Sequence, residues 1–148
     1  MPLVVSMFFV AMVALLSALY VPAQEARMSI ASADVGATSA LAYRESLINY
    51  LNANPTATGT VPDASLTPLW GHQRNPRWTN TVSSGTLFVY ESSPSNTPEL
   101  LHELYRKTLS SYTVGRNTSG FLVSAKGFAT GIPVPASVPD GAILIVGK

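Results

Sequence analysis

The chain has 148 residues, nine of them basic and eight acidic, and only 11 % of it is charged. Near-neutrality without a basic stripe excludes the electrostatic footprint of a nucleic-acid binder. The absence of cysteine excludes a disulfide framework, a thiolate metal site and a cysteine nucleophile, and eleven prolines and ten glycines, mostly after residue 54, predict a loop-rich domain and not a helical bundle.

The first 24 residues carry no Asp, Glu, Lys or Arg, and residues 3–21 are apolar except for Ser6, Ser17 and the Tyr20 hydroxyl. As a helix this run is roughly 29 Å long, close to the hydrocarbon thickness of a bilayer. The expectation is a retained single-pass transmembrane anchor over residues 1–23. A cleaved leader ending near Ala23 is the competing reading. It is disfavoured because no Lys or Arg precedes the run, and because the run exceeds the roughly 7 to 15 residues of a signal core. With almost nothing before the span and over 100 residues after it, the expected topology is a cytoplasmic N-terminus and an exported C-terminal domain.

Residues 24–54 read as a helical stem, ended by Asn54 before Pro55 because a residue preceding proline is pushed out of the α region. Projected on a helix, Ala37, Leu41, Tyr43, Leu47, Ile48, Tyr50 and Leu51 share one broad half of the cylinder, opposite Glu45, Ser46, Asn49 and Asn52. Arg44 falls inside the apolar arc, either snorkelling to water or pairing with a carboxylate on a partner. Ser32, Gly36 and Ala40 recur every four residues, a spacing that lets two helix backbones approach closely. They are the candidate oligomerisation stripe, with an alanine-rich connector as the plainer alternative.

Residues 55–68 are turn chemistry throughout and read as a linker or surface loop. Two tryptophans, two arginines and a histidine follow within ten residues. Trp70, Arg74, Arg77 and Trp78 have the composition of an interface hot spot and are the candidate partner-binding residues. The plainer reading has the tryptophans closing the end of a small core while the arginines stay wet.

The remaining signals predict a small α+β domain over residues 69–148. Residues 85–91 form a strand rich in β-branched and aromatic residues. A helix then starts at Asn96 or Thr97 with Pro98 in its first turn and Glu99 at its positive end. Leu101, Leu104, Tyr105 and Thr108 are its expected buried stripe, and Glu103 and Lys107 an expected surface pair. Residues 112–116 and 121–125 read as two strands joined by a turn at 117–120, residues 127–139 as a loop, and residues 142–146 as a short buried strand. The expected fold class is therefore α+β: an N-terminal transmembrane helix and helical stem, then a mainly antiparallel sheet of four or five strands with one packed helix.

No constellation for catalysis stands out. His72 and His102 lie on different elements without a carboxylate at ligand spacing, so no metal or other cofactor is expected. There is no Gly-x-Ser-x-Gly elbow and no Ser-x-x-Lys, and the glycines after residue 114 form no phosphate-cradling loop. Asn117, Thr118 and Ser119 match a glycosylation sequon, which has meaning only in a eukaryotic secretory pathway. The first carboxylate, Glu25, lies beyond the apolar run, unlike the type IV prepilin pattern.

Taken together, the apolar start, the stem from Tyr43 to Tyr50, the Phe88-Val89-Tyr90 strand, the hairpin over residues 115–123 and the ending over residues 138–146 resemble the small PilM proteins of plasmid-encoded type IVb thin pili. The resemblance implies a non-enzymatic inner-membrane component of a pilus assembly platform or basal body, with its domain in the periplasm. It brings no catalytic residues. Its implied partners are other pilus assembly proteins or pilin subunits, beside the membrane expected from the single span and the homo-oligomer that the small-residue stripe of the stem would allow. The alternatives are a pilin-like structural subunit, and a secreted periplasmic binding protein or hydrolase released near Ala23.

Overall fold

The computed structural model describes residues 2–67 and 75–147, with side chains described from residue 5 except for residues 18, 19 and 21–23. Chain contacts divide it into two compact units, Met1–Ser32 and Ala33–Lys148. One helix, α1 (Pro2–Ala53), supplies all of the described first unit and opens the second. It continues through residue 22, although proline there removes a backbone donor. It stops where expected for a local reason: Asn54 donates both its backbone N–H (2.9 Å) and its side-chain amide (3.0 Å) to the Tyr50 carbonyl, just before Pro55.

The transmembrane part of the expected fold is corrected. Among the described residues no helix is long and apolar enough to cross a membrane. Among residues 5–17 the side chains are apolar except for Ser6 and Ser17. Val5, Phe8, Phe9, Val10 and Leu15 of this stretch are exposed. α1 runs without a break from Pro2 to Ala53.

In the second unit the strands are β1 (Trp78–Ser83), β2 (Thr86–Glu91), β3 (Val114–Thr118), β4 (Phe121–Ser124), β5 (Ala129–Pro133) and β6 (Ile143–Val146). They form one sheet in the order β1-β2-β6-β3-β4-β5, and every neighbouring pair is antiparallel. This exceeds the expected four or five strands. β1 runs through the end of the tryptophan-rich segment, and β5 lies inside the region read as a loop. Both stand at the edges of the sheet.

Two hairpins use the same turn chemistry. Ser84 and Gly85 have φ of 49° and 75°, and Ser119 and Gly120 have φ of 52° and 82°. These left-handed pairs suit the right-handed twist of the flanking strands, and glycine at the second position meets no Cβ penalty.

The sheet separates two cores. On one face Trp78, Val82, Leu87, Val89, Val114, Ile143 and Ile145 meet the buried residues of α1 and of the second helix, α2 (Pro98–Lys107). On the other, Phe88, Tyr90, Leu122, Leu144 and Val146 are covered by Val134, Val138 and Ala142 from the proline-rich segment. β6 is buried on both faces, which explains its uninterrupted Ile-Leu-Ile-Val sequence.

The face that α1 turns to the sheet is lined by Ala33, Ala37, Ala40, Tyr43, Leu47 and Leu51, with Leu41, Ile48 and Tyr50 at its flank. In α2 the buried residues are Leu100 and Leu104, with Leu101 partly buried beside them. The expected Glu103–Lys107 pair is replaced by two others: Glu103 with Arg106 at 2.7 Å, and Lys107 with Asp34 of α1 at 2.9 Å. Lys107 lies toward α1, so the interhelix partner wins over the pairing within one helix.

Residues 55–67 are docked. Gly59 and Val82 exchange two backbone hydrogen bonds of 2.8 Å, and Val61 is buried. The buried Asn80 clamps this segment, donating to the Val61 carbonyl (3.0 Å) and the Tyr43 hydroxyl (2.7 Å) and accepting from the Val61 N–H (2.9 Å). Tyr43 donates onward to Asp63 at 3.1 Å. The segment thereby shields the outer edge of β1.

Candidate functional site

Of the four residues expected to bind partners, Trp70 and Arg74 lie outside the described residues, as does His72. The other two face inward. Trp78 has no exposed surface and sits in the helix-side core, its indole N–H donating to the Gly36 carbonyl of α1 at 3.1 Å. Arg77 lies at the end of β1, where its Nε donates to Glu91 Oε1 at 2.8 Å and its Nη2 stands 2.7 Å from the same oxygen.

Glu91 is the residue that sequence reasoning passed over. Its carboxylate is fully buried and accepts from four donors, Arg77 Nε, the Ser95 hydroxyl (2.7 Å), the Ser95 N–H (3.4 Å) and the Ile143 N–H (3.3 Å), with Arg77 Nη2 completing the ion pair. Arg77 also donates to the Ser95 hydroxyl at 2.6 Å. Thr97, positioned to cap α2, turns its hydroxyl toward Ser95 at 2.9 Å and makes no cap bond. The available signal was a lone carboxylate ending an apolar strand, followed by serines and a proline that must turn the chain. The network joins β1, β2, β6 and the entry to α2, and a carboxylate so fully hydrogen-bonded is committed to holding these elements together.

The small-residue stripe is likewise used within the chain. Gly36 and Ala40 are buried, and a Cβ on Gly36 would stand 3.0 Å from Leu100 Cδ1. Their small size lets α1 approach Trp78 and α2. Ser32 is exposed and belongs to the first unit. Arg44 donates through Nε (3.3 Å) and Nη2 (3.2 Å) to the Gly147 carbonyl, tying down the end of the chain. Asn117 is 4 % exposed, donates to the carbonyls of Val138 and Pro139 and accepts from the Gly120 N–H. A glycan has no access to it in this fold.

An open groove of about 400 Å³ runs along the end of α1, lined by Ser46, Asn49, Tyr50, Asn54, Ser65 and Thr67 among others. Its polar groups are hydroxyls and amides, suited to hydrogen bonding and not to acid–base chemistry near neutral pH. Among the described residues no group of three His, Asp or Glu side chains could hold a metal. Asp34 is held below the ordinary aspartate range chiefly by the hydrogen bond from Lys107, and Arg106 is raised chiefly by its hydrogen bond to Glu103. Both belong to the exposed tie between the helices.

These features define a small α+β domain, an antiparallel sheet backed by helices, whose buried polar side chains fasten its parts to one another. A family model, PilM, matches residues 7–146, and the chain belongs to the PilM family, a family of pilus biogenesis. Among solved structures, the chain described as PilM from Escherichia coli B7A matches with a TM-score of 0.60 and 22 % identity, over 79 % of this chain and 92 % of that one. A pilM protein from Pseudomonas aeruginosa 2192 shares 30 % identity over 78 % of this chain and 95 % of its own, with a TM-score of 0.45. No curated protein matches.

Proposed function

We propose that this chain is a non-enzymatic scaffold of a type IV pilus assembly machine, working at the periplasmic side of the inner membrane through contacts with other assembly proteins or pilin subunits. The observation that carries the reading is the family match over residues 7–146. The deployment of polar groups supports it: Glu91, Asn80 and Asn117 spend their hydrogen bonds on neighbouring strands and loops. Such groups build a rigid platform on which an exposed surface can be held in shape.

Deletion of the coding sequence in a piliated strain, followed by counting surface pili and fractionating the complemented protein, tests this. Loss of pili, restored by the wild-type chain found with the inner membrane fraction, is the expected result. Normal piliation in the deletion strain overturns the proposal.

A further inference from the structure

Where the sheet is fastened together, Glu91, Asn80 and Asn117 spend their polar atoms on neighbouring elements. The groove at the end of α1 differs. Beside Ala53, its lining residues Ser46, Asn49, Tyr50, Asn54, Ser65 and Thr67 all carry a hydroxyl or a carboxamide, and among the described residues no charged side chain lines it. The side chains of Asn49, Tyr50, Ser65 and Thr67 make no hydrogen bond within the protein. Neutral donors and acceptors are therefore gathered in one hollow and left unused.

Both walls are held in place. Ser46, Asn49, Tyr50 and Ala53 stand at i, i+3, i+4 and i+7 of α1, which puts them on one face of the helix. Ser46 is 6 % exposed, and its hydroxyl donates to the Ala42 carbonyl at 3.1 Å, leaving the oxygen to accept. Asn54 donates from its amide nitrogen to the Tyr50 carbonyl and keeps its amide oxygen. Tyr50 is half-buried and packs at the flank of the helix-side core. Ser65 and Thr67 come from the docked segment that Asn80 clamps at Val61 and Tyr43 holds at Asp63. Groups fixed in this way lose little freedom when a ligand arrives.

We propose that this groove binds a neutral saccharide, whose hydroxyls exchange hydrogen bonds with Asn49, Ser65 and Thr67 while one face of a pyranose ring rests on Tyr50. A sugar hydroxyl both donates and accepts, as hydroxyls and carboxamides do, so the two sets of groups match in either sense. The negative face of an aromatic ring attracts the polarised C–H groups on a pyranose. A ligand bearing phosphate, carboxylate or ammonium would give up its hydration and meet no counter-charge among the described lining residues. A peptide fits less well. Through residues 46–50 the backbone groups are spent inside the helix, so no strand edge is offered, and the described lining holds no apolar pocket for an anchoring side chain. The volume, about 400 Å³, lies at the small end of ligand sites, which run from about 300 to 1,000 Å³, and suits a short stretch of saccharide. The inference stands on the groove alone and does not depend on the assembly reading.

The test titrates the purified full-length protein, by calorimetry, with maltotriose, cellotriose and N-acetylchitotriose, and measures its retention on isolated cell-wall sacculi. The expected result is saturable binding to at least one of these four probes, in the millimolar range or tighter for a trisaccharide and unaffected by added salt because no ion pair forms. Asn49→Ala and Thr67→Val, both at exposed positions, should each weaken that binding about fivefold or more, the loss of one hydrogen bond, with melting unchanged. In the wild-type chain the side-chain amide protons of Asn49 should shift in the NMR spectrum as the sugar is added, which places the site without any substitution. Binding to a trisaccharide and not to sacculi assigns a soluble sugar; binding to sacculi, lowered by Asn49→Ala, assigns a glycan strand. No saturable binding to any of the four, binding indifferent to both substitutions, or equal affinity for an uncharged glycine-serine peptide overturns the inference. Its failure leaves the assembly role standing, because piliation of the deletion strain is read separately.

Discussion

Replacing Glu91 by Gln keeps the shape of the side chain and removes its charge. Wherever the new NH2 group is placed it faces donors: Arg77 and the Ser95 hydroxyl at one position, the N–H groups of Ser95 and Ile143 at the other. Breaking a buried pair by removing one partner costs about 3–5 kcal/mol. Arg77 is 28 % exposed and partly rehydrates, so a loss near the lower limit, about 3 kcal/mol, is expected. For a domain of this size that corresponds to a fall in Tm of about 10 °C. Urea unfolding followed by circular dichroism measures it, alongside Arg77→Met and the double variant. Because the two side chains act together, the double variant should lose about 1 kcal/mol or more less than the sum of the singles. A Gln variant within about 0.5 kcal/mol of wild type, or simple additivity, refutes the account of Glu91 as the fastening point.

Other changes probe the remaining joints. Trp78→Phe should cost about 2 kcal/mol, from the lost hydrogen bond to Gly36 and the space the smaller ring leaves, measured by the same unfolding; no loss would mean Trp78 is not a core residue. At Gly115 a Cβ would overlap the Val123 carbonyl oxygen and stand 2.9 Å from Ser124 Cα, backbone that cannot yield. Gly115→Ala should therefore cost about 3 kcal/mol or more and raise amide exchange along β3 and β4; wild-type exchange would contradict that close approach. Asn80→Ala should free residues 55–66, seen as rapid limited proteolysis there, and resistance equal to wild type would show that the clamp is not needed. The lowered Asp34 pKa means that the tie to Lys107 adds stability at pH above the ordinary aspartate value, and that this is lost as pH falls through the lower folded-state value, below about pH 4. Asp34→Asn should flatten that part of the stability profile, and an unchanged acid limb would contradict it.

The local grammar of the chain was largely decisive for its elements. Proline after Asn54 ended α1, the Thr97-Pro98-Glu99 start placed α2, and the β-branched and aromatic content of residues 85–91 and the apolar run at 142–146 marked β2 and β6, because each depends on backbone preferences or composition within a few residues. The partners of those elements depend on contacts far apart in sequence. The opening run was read as a membrane span, yet among the described residues no helix is long and apolar enough to cross a membrane. Trp78 and Arg77, whose composition suggests a binding patch, found Gly36 and Glu91 instead. Composition states what a side chain can do, and its neighbours determine whether that capacity is spent inside.

By itself the sequence determined a helical first third, an α+β remainder and the absence of thiol chemistry, all of which follow from composition and near-neighbour spacing. Only the tertiary structure decided that a carboxylate with no obvious partner is the hub of four elements, and that small residues let α1 approach Trp78 and α2. Burial and pairing are set by residues dozens of positions away, and no local pattern encodes which of them will meet.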